Sequence, residues 1–163
     1  MTKKNCTLLF LRKDDQILLA MKKRGFGAGR FNGVGGKIEP SETIEQALVR
    51  ECQEEIGVTP VHYWKVAEHD FIQDQGSSPW RMYVHVYLCD QWEGTPIETE
   101  EMAPEWFPVA GIPYDSMWQD DKHWLPQVVN GASIMGRFTF DEADTMLTQD
   151  VRTVEIFTGE AGA

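Results

Sequence analysis

Arg50, Glu51, Glu54 and Glu55 sit in a segment whose remaining residues repeat like one face of a buried helix. On a helical wheel over residues 42–56, Ile44, Ala47, Leu48 and Cys52 share one arc, the stripe expected to face a core. Glu51 and Glu55 fall inside that arc and Glu54 lies at its edge. Carboxylates three and four residues apart on a helix repel one another, and ionised groups near a core are costly unless something positive accompanies them. A merely solvated acidic face would lie opposite the apolar stripe, not on it. A divalent cation removes the conflict. Mg²⁺ takes oxygen ligands, keeps several waters and is commonly shared between one or two carboxylates and the phosphates of a substrate. The same ion polarises a phosphoryl oxygen and helps to generate hydroxide, so the chemistry implied is cleavage of a pyrophosphate linkage.

The elements that must position these acids can be read around them. Pro40 and Ser41 predict a helix start with Ser41 as N-cap, Glu42 and Glu45 favour the positive end of the helix dipole, and Gly57 supplies a stop after Ile56. Immediately upstream, residues 25–36 contain six glycines, and no regular element is predicted there. Apolar segments at 7–11 and 17–21 flank a turn at 13–15 and read as a hairpin. Further strands are predicted near 64–73, 82–89, 106–109, 134–140 and 146–154, with a second helix over 125–129. The pattern is that of a single mixed α/β (α+β) domain over residues 1–158, a mixed sheet covered by helices, followed by a frayed tail at 159–163.

Charge narrows the function classes. The 163 residues carry 15 Lys and Arg against 26 Asp and Glu, a net charge of −11. An acidic total repels duplex nucleic acid and anionic membrane at long range. The distribution is uneven: residues 3–37 hold nine basic and two acidic side chains, and residues 38–163 hold six basic and 24 acidic ones. A basic segment facing acidic clusters suits a small anion held together with metal ions. The apolar run at 8–11 is too short for a signal-peptide core, and no stretch approaches a membrane span. Cys6, Cys52 and Cys89 are widely spaced and read as free thiols in a reducing cytosol, which makes the expected location cytoplasmic.

Taken together, Gly36-x5-Glu42-x7-Arg50-Glu51-Cys52-x-Glu54-Glu55-x-Gly57-Val58 resembles the full Nudix box, with every fixed position matched and Cys52 at a position where an aliphatic residue is usual. The resemblance implies an α/β/α sandwich and Mg²⁺-dependent hydrolysis, with Mn²⁺ able to substitute, of a nucleoside diphosphate linked to another moiety. It places Gly36, Glu51, Glu54 and Glu55 around the metal, with Glu54 or Glu55 as base and Arg50 orienting a glutamate. Residues 21–33, together with Gly94-Thr95-Pro96, Trp106-Phe107 and Met117-Trp118-Gln119-Asp120-Asp121, resemble the MutT homologues that hydrolyse oxidised purine nucleoside triphosphates such as 8-oxo-dGTP and 2-hydroxy-dATP. Glu101, outside the box, matches an acidic position of that subfamily, as a further metal ligand or base.

In that subfamily's pattern, Thr7, Lys22, Phe26, Asn32, Phe71, Met82, Trp118, Asp120 and Asp121 correspond to the base pocket. Aromatic side chains suit a purine, Asn32 offers both a donor and an acceptor, and adjacent buried carboxyls can share one proton to present one donor and one acceptor. Of the basic residues 22, 23, 24, 30 and 37, one or two are expected to meet the triphosphate and the others to be solvated. Three departures bear on base preference: Gln73 stands where a pocket aromatic is usual, Gln119 replaces a proline, and residues 74–81 form a longer segment than expected. The expected partner is a small nucleoside triphosphate, with no nucleic-acid polymer or membrane, bound by a monomer. Competing possibilities are another modified or unmodified triphosphate, such as a methylated purine, and a nucleotide sensor without catalysis, which intact Glu51, Glu54 and Glu55 disfavour. An RNA-processing role lacks an added basic RNA-binding region.

Overall fold

In the computed structural model, which describes residues 1–155 and 157, the chain begins with a hairpin that soon comes apart. β1 (Lys3–Lys13) turns through Asp14, left-handed at φ 55°, into β2 (Gln16–Lys22). The strands pair at Arg12 with Ile17 and at Lys13 with Gln16, then diverge. The glycine-rich segment takes the edge that β2 leaves: the Thr7 N–H donates to the Gly36 carbonyl at 2.9 Å, and Leu9 and Val34 exchange backbone hydrogen bonds at 2.7 and 2.9 Å. Glycine permits this insertion. A Cβ at Gly35 would stand 1.9 Å from the Thr7 carbonyl oxygen, so any side chain would push the segment off the strand. Within the stretch for which the glycines predict no regular element, β3 (Phe31–Asn32) pairs with β2.

α1 (Ile44–Ile56) is capped by Thr43 and not, as the sequence suggests, by Ser41. The Thr43 hydroxyl accepts from the Gln46 N–H at 3.1 Å, and the Gln46 side chain accepts from the Thr43 N–H at 2.9 Å. This reciprocal box satisfies two donors that would otherwise be orphaned; three residues beyond Ser41 stands Ile44, which has nothing to return. Gly57, at φ 71°, ends the helix with its N–H on the Gln53 carbonyl. Thr43→Ala is expected to cost about 1 kcal/mol, read as a lower urea midpoint at unchanged m-value.

β4 (Thr59–Gln73), β5 (Trp80–Glu93), β6 (Met102–Pro108), α2 (Asp121–Val129), β7 (Ser133–Phe140) and β8 (Met146–Val154) follow. β1 is parallel to β5, β5 antiparallel to β4, β4 parallel to β7 and β7 antiparallel to β8, while β2 carries β3 and β6. Several elements are longer than predicted. Pro104 and Pro108 hide the length of β6, and Pro126, inside α2, hides the four residues that begin that helix.

One face of the sheet packs Leu9, Tyr63 and Tyr87 against Leu48, Cys52 and Ile56 of α1. The other packs Phe10, Val86 and Phe138 against Trp124, Leu125 and Val128 of α2. This is the expected sandwich of a mixed sheet between helices. Cys6, Cys52 and Cys89 are free thiols, and among the described residues no helix is long and apolar enough to cross a membrane. The tail expected to fray, 159–163, lies outside the described residues.

Candidate active site

α1 delivers its acids by burying each to a different degree. Ala47, Leu48, Cys52 and Ile56 hold the helix to the sheet, and Glu55 is buried with them. Its Oε1 accepts from the Gly35 N–H at 2.8 Å. Burial pushes the Glu55 carboxyl up to about 8, against the Gly35 hydrogen bond, and the neighbouring Glu51 adds to the rise. Glu51 is likewise raised, by burial first, against the pull of Arg50. Arg50 ties the rest together. Its Nε and Nη2 donate to Glu42 at 2.6 and 2.8 Å, its Nη1 to Glu51 at 2.9 Å and Glu54 at 3.3 Å, and its Nη2 also to the Lys37 carbonyl at 3.2 Å. The guanidinium holds the Glu42 carboxyl down at about 2. Glu101, just ahead of β6, is close enough for its charge to raise both Glu51 and Glu55.

These residues fit a divalent cation on two counts. The donors are hard oxygens, and the like charges raise one another in a partly buried place, a conflict that a cation relieves. Gly36 contributes by what it lacks: a Cβ there would stand 2.6 Å from Glu51 Oε1. Among the described residues no three acidic, His or Cys side chains already converge as a cage; Glu51 and Glu54 are engaged by Arg50, and Glu55 by Gly35.

A cavity of about 330 Å³ reaches Gly35 and Gly36, the residues that touch Glu55 and Glu51. Thr7, Lys22, Phe26, Asn32, Phe71, Met82, Trp118, Asp120 and Asp121, drawn from stretches remote along the chain, are all brought together in its lining. Phe26 and Trp118 meet edge to face at 5.2 Å, and the Arg30 guanidinium lies 4.2 Å from the Trp118 ring centre. Asn32 Oδ1 accepts from the Gly33 N–H at 2.8 Å, which leaves its amide N–H groups as the donors.

The paired acids are distinct from one another. Asp120 and Asp121 are 3% and 2% exposed, and burial raises both carboxyls, Asp120 to about 6. Asp120 Oδ2 accepts from Trp124 Nε1 at 2.8 Å, whereas Asp121 Oδ2 has no hydrogen-bond partner among the described residues. The charge of Asp120 drives Asp121 higher still. Burial and mutual repulsion thus favour one shared proton on the pair, which then offers one donor and one acceptor.

The remaining expectations can now be placed. Lys22, Arg30 and Lys37 line the cavity; Lys23 and Arg24 are exposed, as expected of the solvated ones, and also form surface ion pairs. Lys23 Nζ pairs with Glu98 and donates to the Thr99 carbonyl at 2.8 Å, and Arg24 lies 3.6 Å from Glu101. Gln73 is buried and takes no part in the lining, which Trp80 and Phe140 supply instead. Gln119 Oε1 accepts from the Met146 N–H at 2.9 Å, a tie to β8 that a proline there would not make.

Sequence reasoning missed Trp80, Phe140, Trp124 and the fully buried His69 beside them. His69 is held neutral, its pKa pushed down to about 3 by burial, with its ring 4.4 Å from that of Trp124. The one available signal was the alternation of His69, Phe71 and Gln73 along β4, which places them on one face.

The acids of α1, beside a glycine-rich loop that lines an aromatic cavity and set in a helix–sheet–helix sandwich, are the arrangement of a hydrolase of phosphoric anhydrides. The sequence model of the NUDIX domain matches residues 1–128, and the chain belongs to the NUDIX family. It is 42% identical over 151 residues to the oxidized purine nucleoside triphosphate hydrolase of Mus musculus, covering 93% of this chain and 96% of that protein. The protein of the same description from Danio rerio is 40% identical over 156 residues, covering 94% and 97%. Among solved structures, the MutT protein of Bacillus halodurans superposes with a TM-score of 0.77 over 91% of this chain and 97% of that one; at 24% identity this likeness concerns the fold alone.

Proposed function

We propose that the chain is a Mg²⁺-dependent diphosphatase that converts oxidised purine deoxynucleoside triphosphates, 8-oxo-dGTP and 2-hydroxy-dATP, to the monophosphate and pyrophosphate, so clearing them from the nucleotide pool. The observation that carries this is the buried Asp120–Asp121 pair in the lining of a cavity that also reaches Gly35 and Gly36, beside Glu55 and Glu51 of α1. The descriptions of the mouse and zebrafish relatives support it. Asp121 donates to O6 of an oxidised guanine and Asp120 accepts from N1–H; with the proton exchanged between them, the pair reads the edge of 2-hydroxyadenine. Phe26 and Trp118 hold the base, and Lys22, Arg30 and Lys37 face the triphosphate.

Glu51, Glu54, Glu55 and Glu101 hold the cation, for which Mn²⁺ substitutes. When bound it would supply positive charge to the phosphate oxygens and favour ionisation of the attacking water. One of Glu54, Glu55 and Glu101 takes the proton of the attacking water, and Arg50 keeps Glu51 and Glu54 in position. The protein acts on this small molecule as a cytoplasmic monomer, without nucleic acid or membrane.

Turnover of 8-oxo-dGTP, 2-hydroxy-dATP, dGTP and dATP in Mg²⁺ tests this. The oxidised pair is expected to exceed its unmodified counterparts in kcat/KM by about tenfold or more, the scale of one polar contact, made outside O6 and N1–H because guanine and its 8-oxo form share both. Equal rates for all four, or a preference for a methylated purine, would defeat the substrate assignment; absence of pyrophosphate release would favour a sensor.

A further inference from the structure

Gln73, Trp80 and Phe140 share one rung of the sheet, since Gln73 is the Cα partner of Trp80 on β5 and of Phe140 on β7. Directly opposed residues present their side chains to the same face. Here the two rings approach one another over the glutamine, with centres 5.7 Å apart and planes tilted by 36°. Both rings line the cavity; Gln73, 4% exposed, does not. Its amide is spent on the chain that follows: Nε2 donates to the Ser78 carbonyl at 3.2 Å, and Oε1 accepts from the Gln75 N–H. These bonds fasten both ends of the 74–79 connection, and the next residue is Trp80. Its ring then meets Phe26 at 5.3 Å and Trp118 at 6.4 Å, both edge to face.

The geometry points to Trp80 as a specificity-determining residue of the base pocket, with Gln73 as the positioning residue that sets its indole through the 74–79 turn. This inference rests on the assignment of the cavity to a purine. The two inner rungs show the consequence of position. Phe71 stacks on Phe138 at 5.3 Å, and further in His69 lies beside Gly136, where a Cβ would come within 2.4 Å of His69 Nδ1. On this face of β4, positions 69 and 71 carry rings and position 73 does not, and of the three only Phe71 lines the cavity. A buried glutamine must satisfy its amide, and the turn does so, but an amide so engaged offers little apolar surface to a base. The ring that position 73 lacks is supplied by its neighbour across the strand. Because Trp80 also touches Phe26 and Trp118, it sets the width of the slot between the walls.

The test uses the full chain in Mg²⁺ with 8-oxo-dGTP, 2-hydroxy-dATP, dGTP and dATP, and compares Trp80→Leu, Trp80→Phe and the double variant Gln73→Phe/Trp80→Leu, with thermal melting as the control for folding. Trp80→Leu keeps an apolar side chain and loses the ring. Its KM for the oxidised substrates is expected to rise by roughly tenfold or more, the scale of one lost base–aromatic contact, with kcat within about threefold. Its preference for oxidised over unmodified purines narrows. Trp80→Phe retains most of the affinity, and the double variant regains part of it, because Phe at 73 projects to the same face as Phe71. A role confined to folding predicts instead a lower melting temperature, kcat reduced for every substrate alike, and no rescue by Phe. Unchanged KM and substrate ratios in Trp80→Leu overturn the inference while a discriminating wild type leaves the purine assignment standing. A wild type that does not distinguish the four triphosphates overturns that assignment itself.

Discussion

Glu54→Gln and Glu55→Gln are each expected to lower kcat by about two to four orders of magnitude, the range for removal of a group that handles a proton or holds the charge in the transition state. Folding should survive both. Glu54 is exposed and its ion pair with Arg50 is one of several that the guanidinium makes. Glu55 is buried, but a glutamine carbonyl can accept the same Gly35 N–H, and burial already favours an uncharged group at that position. Glu55→Gln should therefore melt no lower than the wild type in the absence of metal. A second readout separates catalysis from cation binding: Mg²⁺ is expected to raise the melting temperature of the wild type, as any ligand of the folded state does, and to raise that of the variants less. Near-normal turnover in both variants, with full stabilisation by Mg²⁺, would remove these carboxylates from the reaction.

The second large effect belongs to Asp120. Asp120→Asn should reduce kcat/KM for 8-oxo-dGTP by about 100-fold or more, the result of losing a charged acceptor and leaving a donor facing a donor. The new amide oxygen would take the Trp124 Nε1–H now held by Asp120 Oδ2, turning its NH₂ toward the N1–H of the base. Asp121→Asn keeps a donor at the place the proposed reading gives to one and is expected to cost far less.

The same pair carries a pH signature. Burial puts both folded-state pKa values above the ordinary aspartate value of 3.8, Asp120 at about 6 and Asp121 also well above it. The folded state then keeps protons that the unfolded chain releases, so their contribution to stability falls as pH rises through this window. Asp120→Asn should lose that slope between about pH 4 and pH 6 relative to the wild type, as measured by urea unfolding of the metal-free protein. Identical pH dependence in the two proteins, or equal loss of activity in the two asparagine variants, would contradict the division of roles.

The two halves of the site differed in how far they could be read in advance. The acids of α1 and the glycines before it are contiguous, and helical periodicity alone shows Glu51 and Glu55 on the apolar side. Even there a choice between neighbours escaped: Ser41 and Thr43 are both good caps, and Gln46 decides for Thr43. Charge pairing across the chain was out of reach, because Lys23 and Arg24 meet Glu98 and Glu101 from a loop more than 70 residues away. Gln73 and Trp80 show the limit most clearly. Both lie near the ends of predicted strands, and their order along the chain does not say which of them faces the cavity; the rung shared by β4, β5 and β7 does.

What the sequence determined by itself is the reaction chemistry, since the acids, the arginine and the loop that serves them occupy one local segment whose geometry follows from backbone periodicity. The base-binding wall was decided only by tertiary structure, because it is assembled from strands that are remote in sequence. Strand register, and with it the side chain that fills each place on the wall, comes from pairing between such segments and from the turn that Gln73 holds in place.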